Sequence, residues 1–196
     1  NVLAIVTAGS LSSKAGPAPS SSNSQSTYRQ RTGSSSSILS LFSSSEAVFP
    51  LYLLVLMTTR ADIITLPHPD LRKKSARIHV ITDEVRQLIQ DMKDAALDWE
   101  DSRPHEIAVA LAAVQIDRLE RVVIVRGDFE HKEDRSFMVL INPEVVKYEG
   151  NIVTDHEGCL SVKNIYGLVP RHDKIRLKAL DEEGNEVRAR AEGFLA

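Results

Sequence analysis

Apolar positions recur at helical spacing over one stretch of the chain: Val85, Leu88, Ile89, Met92, Ala95, Ala96 and Trp99. The positions between them are mostly polar, so residues 83–99 read as an amphipathic helix with one buried face. Thr82 is placed to cap it, with Asp83 and Glu84 in the first turn, where the helix dipole favours acids. Upstream, Ile63 to Asp70 reads as extended, because Pro67 and Pro69 exclude helix. Asp101 to Glu106 is a polar break containing Pro104. Beyond it the runs become short and rich in β-branched residues. Arg121–Val125 and Phe137–Ile141 read as strands joined by a charged loop, and Asn142-Pro143 ends the second. Val145–Tyr148 and Asn151–Thr154 flank a turn at Glu149-Gly150. Lys174–Leu180 and Glu186–Ala191 read as a hairpin around Asp181–Asn185. One helix followed by many short strands predicts an α+β fold, with mostly antiparallel short strands packed around helices.

The first 56 residues are a different text. They hold 16 of the 20 serines, and carry Lys14, Arg29 and Arg31 against Glu46, a balance of +2. The whole chain of 196 residues is −3, so the remainder carries −5. Serine-rich, aperiodic sequence buries too little to order itself, so residues 1–56 are expected to be a disordered extension, and residues 57–196 one domain. Ala47–Leu56 is apolar but far short of the ~20 residues a membrane span needs. Met57 is read as the initiator, with residues 1–56 as upstream translation or an unrelated fusion; an organellar transit peptide is the rival reading.

The near-neutral charge implies no basic surface for nucleic acid. Cys159 is the sole cysteine, which excludes an intrachain disulfide and four-Cys or Cys2His2 zinc modules and suits a reducing compartment. Two segments could carry chemistry. Ala108–Ile116 is small and apolar except for Gln115. Small side chains let a peptide backbone approach, as in strand addition, and an amide suits a carbonyl. The plain alternative is a buried strand or helix turn with one satisfied glutamine. In His156–Ser161, a thiolate offers a soft metal ligand or a nucleophile beside a glycine. The plain alternative is an inert buried cysteine.

Glu157-Gly158-Cys159-Leu160-Ser161 resembles the E-G-C-L-S motif of peptide deformylases, and Ala108–Gln115 resembles their G-x-G-L-A-A-x-Q motif, with alanines in place of glycines at 108 and 110. Leu66-Pro67-His68-Pro69-Asp70-Leu71-Arg72 is similar to the family's usual first strand. Leu168-Val169-Pro170-Arg171 and Gly193–Ala196 also fit, so the likeness runs from Met57 to Ala196. It implies a cytoplasmic hydrolase that removes the formyl group from formyl-methionyl nascent chains at the ribosome, or an organellar one if residues 1–56 are a transit peptide.

By the same resemblance, Cys159 is one of three protein ligands to Fe2+ or Zn2+, and the other two are histidines of an H-E-x-x-H helix. The metal activates a water, bringing its pKa from 15.7 toward ~7. Gln115 and the Leu160 N–H would stabilise the oxyanion. Val109, Ala110, Gly158 and Arg171 would contact substrate. No two of the six histidines are four residues apart. The chain is therefore expected to be a deformylase cut before that helix, inactive and without stably bound metal. Its strands' inner face would be left exposed. The alternatives are a non-catalytic module that binds peptide N-termini, and a cysteine hydrolase with His156 or His172 as base.

Overall fold

The structure is a computed structural model that describes residues 57–196. The expectations for residues 1–56 fall outside the described residues. The element pattern is α+β. A long helix, α1 (Asp83–Asp101), precedes five strands: β1 (Ala110–Ala112), β2 (Val122–Arg126), β3 (Phe137–Cys159), β4 (Val162–Leu180) and β5 (Glu186–Glu192). They form one sheet in the order β1-β2-β3-β4-β5, every pairing antiparallel.

Helix α1 buries the stripe that its periodicity picks out. Leu88, Met92, Ala95 and Ala96 are fully inaccessible and pack with Leu111, Ile124, Val139, Ile141 and Leu160 from the sheet. Each large side chain so buried stabilises by ~1.5–3 kcal/mol. Thr82 is extended, as a cap should be, but its side chain bonds no helix N–H; its hydroxyl, close to Glu84, lowers that carboxyl's pKa. The helix continues past Trp99 to Asp101 because Glu100 also turns inward and is fully buried.

Several predicted boundaries are corrected. Ile63–Asp70 forms no strand; Pro69 opens a short 3-10 turn, Pro69–Arg72, since proline at the first position loses no hydrogen bond. Asn142-Pro143 does not end a strand, and Glu149-Gly150 is not a hairpin turn. Both are bulges inside a single 23-residue strand, β3, where the register with β4 slips between Ile141 and Glu144 and again between Glu149 and Ile152. Asn142 and Gly150 take φ of 54° and 71° there. An asparagine or glycine with left-handed backbone marks a bulge as readily as a turn. Asn142 earns its place: its side chain accepts from the Ile78 N–H at 2.9 Å and donates to the Ile78 carbonyl at 2.7 Å.

The expected β4–β5 hairpin is present, with β4 much longer than predicted, and Asp181 closes the loop by accepting from the backbone N–H groups of Glu183 and Asn185. The outer part of the β3–β4 ribbon leaves Tyr148, Ile152, Val153, Ile165 and Leu168 exposed.

Candidate active site

The two segments singled out from the sequence meet at the tip of the β3–β4 hairpin. Gly158 and Cys159 end β3, Leu160-Ser161 make the two-residue turn, and Val162 begins β4. Gly158 lies opposite Tyr166 while Cys159 lies opposite Val162, so Lys163–Ile165 loop out, with Asn164 at φ 57°. Glycine suits this close approach: a Cβ at 158 would sit 2.8 Å from Tyr166 Cε1, so the ring or the main chain would have to shift. Leu160 and Ser161 are buried and Cys159 is half-buried.

Against this tip packs the small-residue segment. After β1 the chain makes a 3-10 turn, Ala113–Ile116, ended by Asp117 in the left-handed region at φ 60°. The turn folds Gln115 back onto its own strand, where Oε1 accepts the Ala112 N–H at 2.9 Å. That bond orients the amide, and Nε2 then faces Ser161 Oγ at 3.2 Å and Cys159 Sγ at 3.7 Å. Gln115 is 2% exposed, so the orientation is held by protein rather than by water. The stretch Ile63–Leu66 ties both parts together: the Ile64 N–H donates to the Gln115 carbonyl at 2.8 Å and the Leu66 N–H to the Ser161 carbonyl at 2.9 Å. An open groove of about 710 Å³ reaches Leu66, Ala112, Gln115, Cys159 and Ser161.

The remaining candidates are placed unequally. Ala110 is half-buried on β1, the terminal strand of the sheet, and Val109 is buried with its carbonyl taken by the Arg126 N–H at 2.7 Å. Among the described residues no acceptor pairs with the Leu160 N–H. Arg171 is committed to Glu157 by two bonds of 2.7 and 2.9 Å. This contact raises the arginine pKa further. It makes Arg171 a brace for the strand that carries Gly158 and Cys159, whatever else its exposed edge touches. Ser161 and the backbone of Ile64 and Leu66 are site elements that sequence reasoning did not assign; only the serine, inside the quoted motif, gave a signal.

The donor set does not complete a metal centre. Cys159 meets only the neutral Gln115 amide, which Ser161 Oγ shares, and no histidine or carboxylate hydrogen-bonds to it among the described residues. A group of three potential ligands, His68, Asp70 and Asp117, does not include it. In that group the Asp70 carboxylate already meets Lys73 at 2.8 Å, and His68 Nδ1 accepts the Asp70 N–H. The cysteine-hydrolase alternative finds no support either, since His156 is exposed and neither it nor His172 bonds the thiol.

Comparison with known proteins gives one answer. The family model described as polypeptide deformylase matches residues 60–196. A peptide deformylase of Thermomicrobium roseum is 42% identical over 137 residues, 68% of this chain and 73% of the relative. The solved peptide deformylase of Legionella pneumophila is 34% identical, with a TM-score of 0.59 over 68% of this chain and 73% of that one. The Synechococcus elongatus enzyme, solved in complex with actinonin, is 28% identical, with a TM-score of 0.61 over 68% of each chain. Among the described residues no helix is long and apolar enough to cross a membrane. With the glutamine and cysteine motifs joined in one site, and the family model spanning residues 60–196, the chain belongs to the polypeptide deformylase family.

Proposed function

We propose that the site at the hairpin tip binds the formyl-methionyl end of a peptide and presents its formyl group for hydrolysis. The observation that carries this is the clamped Gln115 amide, turned by Ala112 toward Cys159 and Ser161. An amide fixed in that way needs no reorganisation when a carbonyl gains negative charge beside it. The Leu160 N–H is the second donor, and β1 offers the peptide an edge along Ala110. Gly158 keeps the backbone thin at that point, while Val109 supports the edge from the buried side. In a chain completed by an H-E-x-x-H helix, Cys159 would supply one thiolate ligand to Fe2+ or Zn2+, which would activate the attacking water. The substrate is a nascent chain, which places the protein in the cytoplasm, or in an organelle if residues 1–56 direct it there.

The test is a chain extended by an H-E-x-x-H helix and assayed on formyl-Met peptides. Cys159→Ala should abolish turnover, and Gln115→Leu should lower it by about 10²–10³, the effect of one lost oxyanion donor. Unchanged turnover in both variants would refute the assignment. The single thiolate favours a second reading for the 196-residue chain itself, a module that binds formylated peptide ends without cleaving them. It is separated from the first by binding without product.

A further inference from the structure

Glu100 and Arg126 form an ion pair in which both side chains are fully buried, 3.0 Å apart. Neither belongs to the site described above. Glu100 lies in the last turn of α1, where no basic residue is present and the helix dipole disfavours an acid. Arg126 is the third inward position of β2, after Val122 and Ile124. Its Nε and Nη1 are buried without a partner among the described residues. A buried pair with unmet donors is weak evidence for stability, because desolvation offsets much of the attraction.

What the pair does is geometric. Glu100 Oε1 accepts from Arg126, and Oε2 accepts the Ala108 N–H at 3.1 Å. The Arg126 backbone N–H donates to the Val109 carbonyl at 2.7 Å. The two residues thus hold the chain at both sides of the Ala108–Val109 peptide link, immediately before β1. The pair is itself held from behind. Arg126 Nη2 donates to the Lys132 carbonyl at 3.0 Å, and Lys132 Nζ donates to the carbonyls of Glu100, Arg103 and Glu106 at 3.1, 2.6 and 3.1 Å. Arg135 grips Asp101 with two bonds of 2.8 and 2.9 Å. The end of α1, the connection to β1 and the β2–β3 loop are cross-tied around one buried carboxylate.

We propose that Glu100 and Arg126 are positioning residues for the peptide-pairing edge: they fix Ala108–Ala112 relative to Gln115, and so set how tightly a peptide backbone is held. This rests on the reading of β1 as that edge. Gln115 depends on the same placement, because its orienting bond comes from the Ala112 N–H. A displaced β1 therefore loosens the amide and the edge together.

The test uses the full chain and the double variant Glu100→Leu/Arg126→Met, which removes both charges and leaves apolar side chains of similar length. Three quantities are read: the urea midpoint, residue-resolved amide exchange, and affinity for an N-formyl-Met tripeptide by titration calorimetry. The expected result is a midpoint near that of the wild type, amide exchange at least tenfold faster at Ala108–Ala112 but unchanged along α1, and about tenfold weaker peptide binding. Unchanged exchange at Ala108–Ala112 overturns the proposal, as does unchanged peptide affinity with faster exchange. Wild-type protein that fails to bind the peptide removes the reading of β1 as a peptide edge, and with it the claim on peptide affinity, whatever the exchange rates show. Should the double variant not fold, Glu100→Gln serves, since its side-chain oxygen can still accept one bond. Faster exchange confined to Ala108–Ala112 supports positioning, and a uniform rise across α1, β1 and β2 shows a merely structural role.

Discussion

Substituting Gly158 by alanine perturbs the hairpin tip at its tightest point. The added Cβ would lie 2.8 Å from Tyr166 Cε1, 3.0 Å from Cδ1 and 3.5 Å from Cζ. Carbon atoms in contact rest ~3.5–4.0 Å apart, so the ring or the main chain must yield by roughly an ångström. Tyr166 is 52% exposed and its ring can swing outward. The loss should therefore fall in the lower part of the ~1–3 kcal/mol range for overpacking. About 1 kcal/mol in a folded part of this size lowers Tm by roughly 3–5 °C.

If the main chain yields instead, Cys159 moves away from the Gln115 amide, 3.7 Å distant. The chain has one thiol, so its rate of reaction with an aromatic disulfide reports that movement without ambiguity. Gly158→Ala should lower the urea midpoint and alter the thiol rate. Adding Tyr166→Ala should restore both, with a coupling of about 1 kcal/mol in the double-mutant cycle. A neutral Gly158→Ala, or a double variant no better than the single one, would refute the argument that the tyrosine ring enforces glycine there.

Other outcomes follow from the same geometry. Asn142→Ala removes both bonds to Ile78 and leaves a β-carbon residue at φ 54°, so urea unfolding should show a loss of about 2–5 kcal/mol. Asn142→Gly should lose about 1 kcal/mol less, because only the hydrogen bonds go; equal losses would deny the backbone term. Glu149 is held by Arg176 and Lys147, which lower its pKa from 4.5 to about 2. A carboxyl depressed on folding adds stability that is fully present above its unfolded value and is lost as the pH falls from about 4.5 toward 2. Arg176→Ala should flatten the fall of unfolding free energy across that window, and an identical slope in the variant would contradict it. Elemental analysis of the purified 196-residue chain should find less than one iron or zinc per molecule, since Cys159 stands alone; one equivalent, lost on Cys159→Ala, would show that other side chains complete the centre.

The helix was legible because its seven apolar positions fall on one stripe, and the β4–β5 hairpin because Asp181–Asn185 carries turn residues between two alternating runs. The glutamine and cysteine segments were legible as motifs, although nothing in their spacing says that residues 44 apart will touch. What stayed hidden has a common cause. Asn142-Pro143 and Glu149-Gly150 have the composition of turns, and only the partner strand decides that they become bulges. Glu100 sits between the end of the apolar stripe at Trp99 and the polar break that starts at Asp101, yet it is fully buried. Arg126 lies one residue beyond the predicted strand Arg121–Val125, and continues the inward period of Val122 and Ile124. No local pattern identifies the acid that neutralises it, because that acid comes from another element. Arg171 was expected to face substrate; its bidentate partner Glu157 lies 14 residues away in the sequence and is paired by the strand crossing alone.

The bulges of β3 constrain how this chain can change in length. Side chains alternate along a strand, so deleting one residue between Ile141 and Glu144 would turn every later position to the opposite face, Cys159 included. At Gly150 the bulge also interlocks with its neighbour: a Cβ would collide with the Asp173 carboxylate, which accepts the Asn151 N–H. Between Phe137 and Cys159 the count of residues is thus as strict a specification as their identity. Natural length variants should accumulate in the Asp181–Asn185 loop, where an extra residue alters no inward-facing position. An insertion in Asp128–Arg135 would instead loosen the Lys132 and Arg135 ties, and should be met only together with changes at the end of α1.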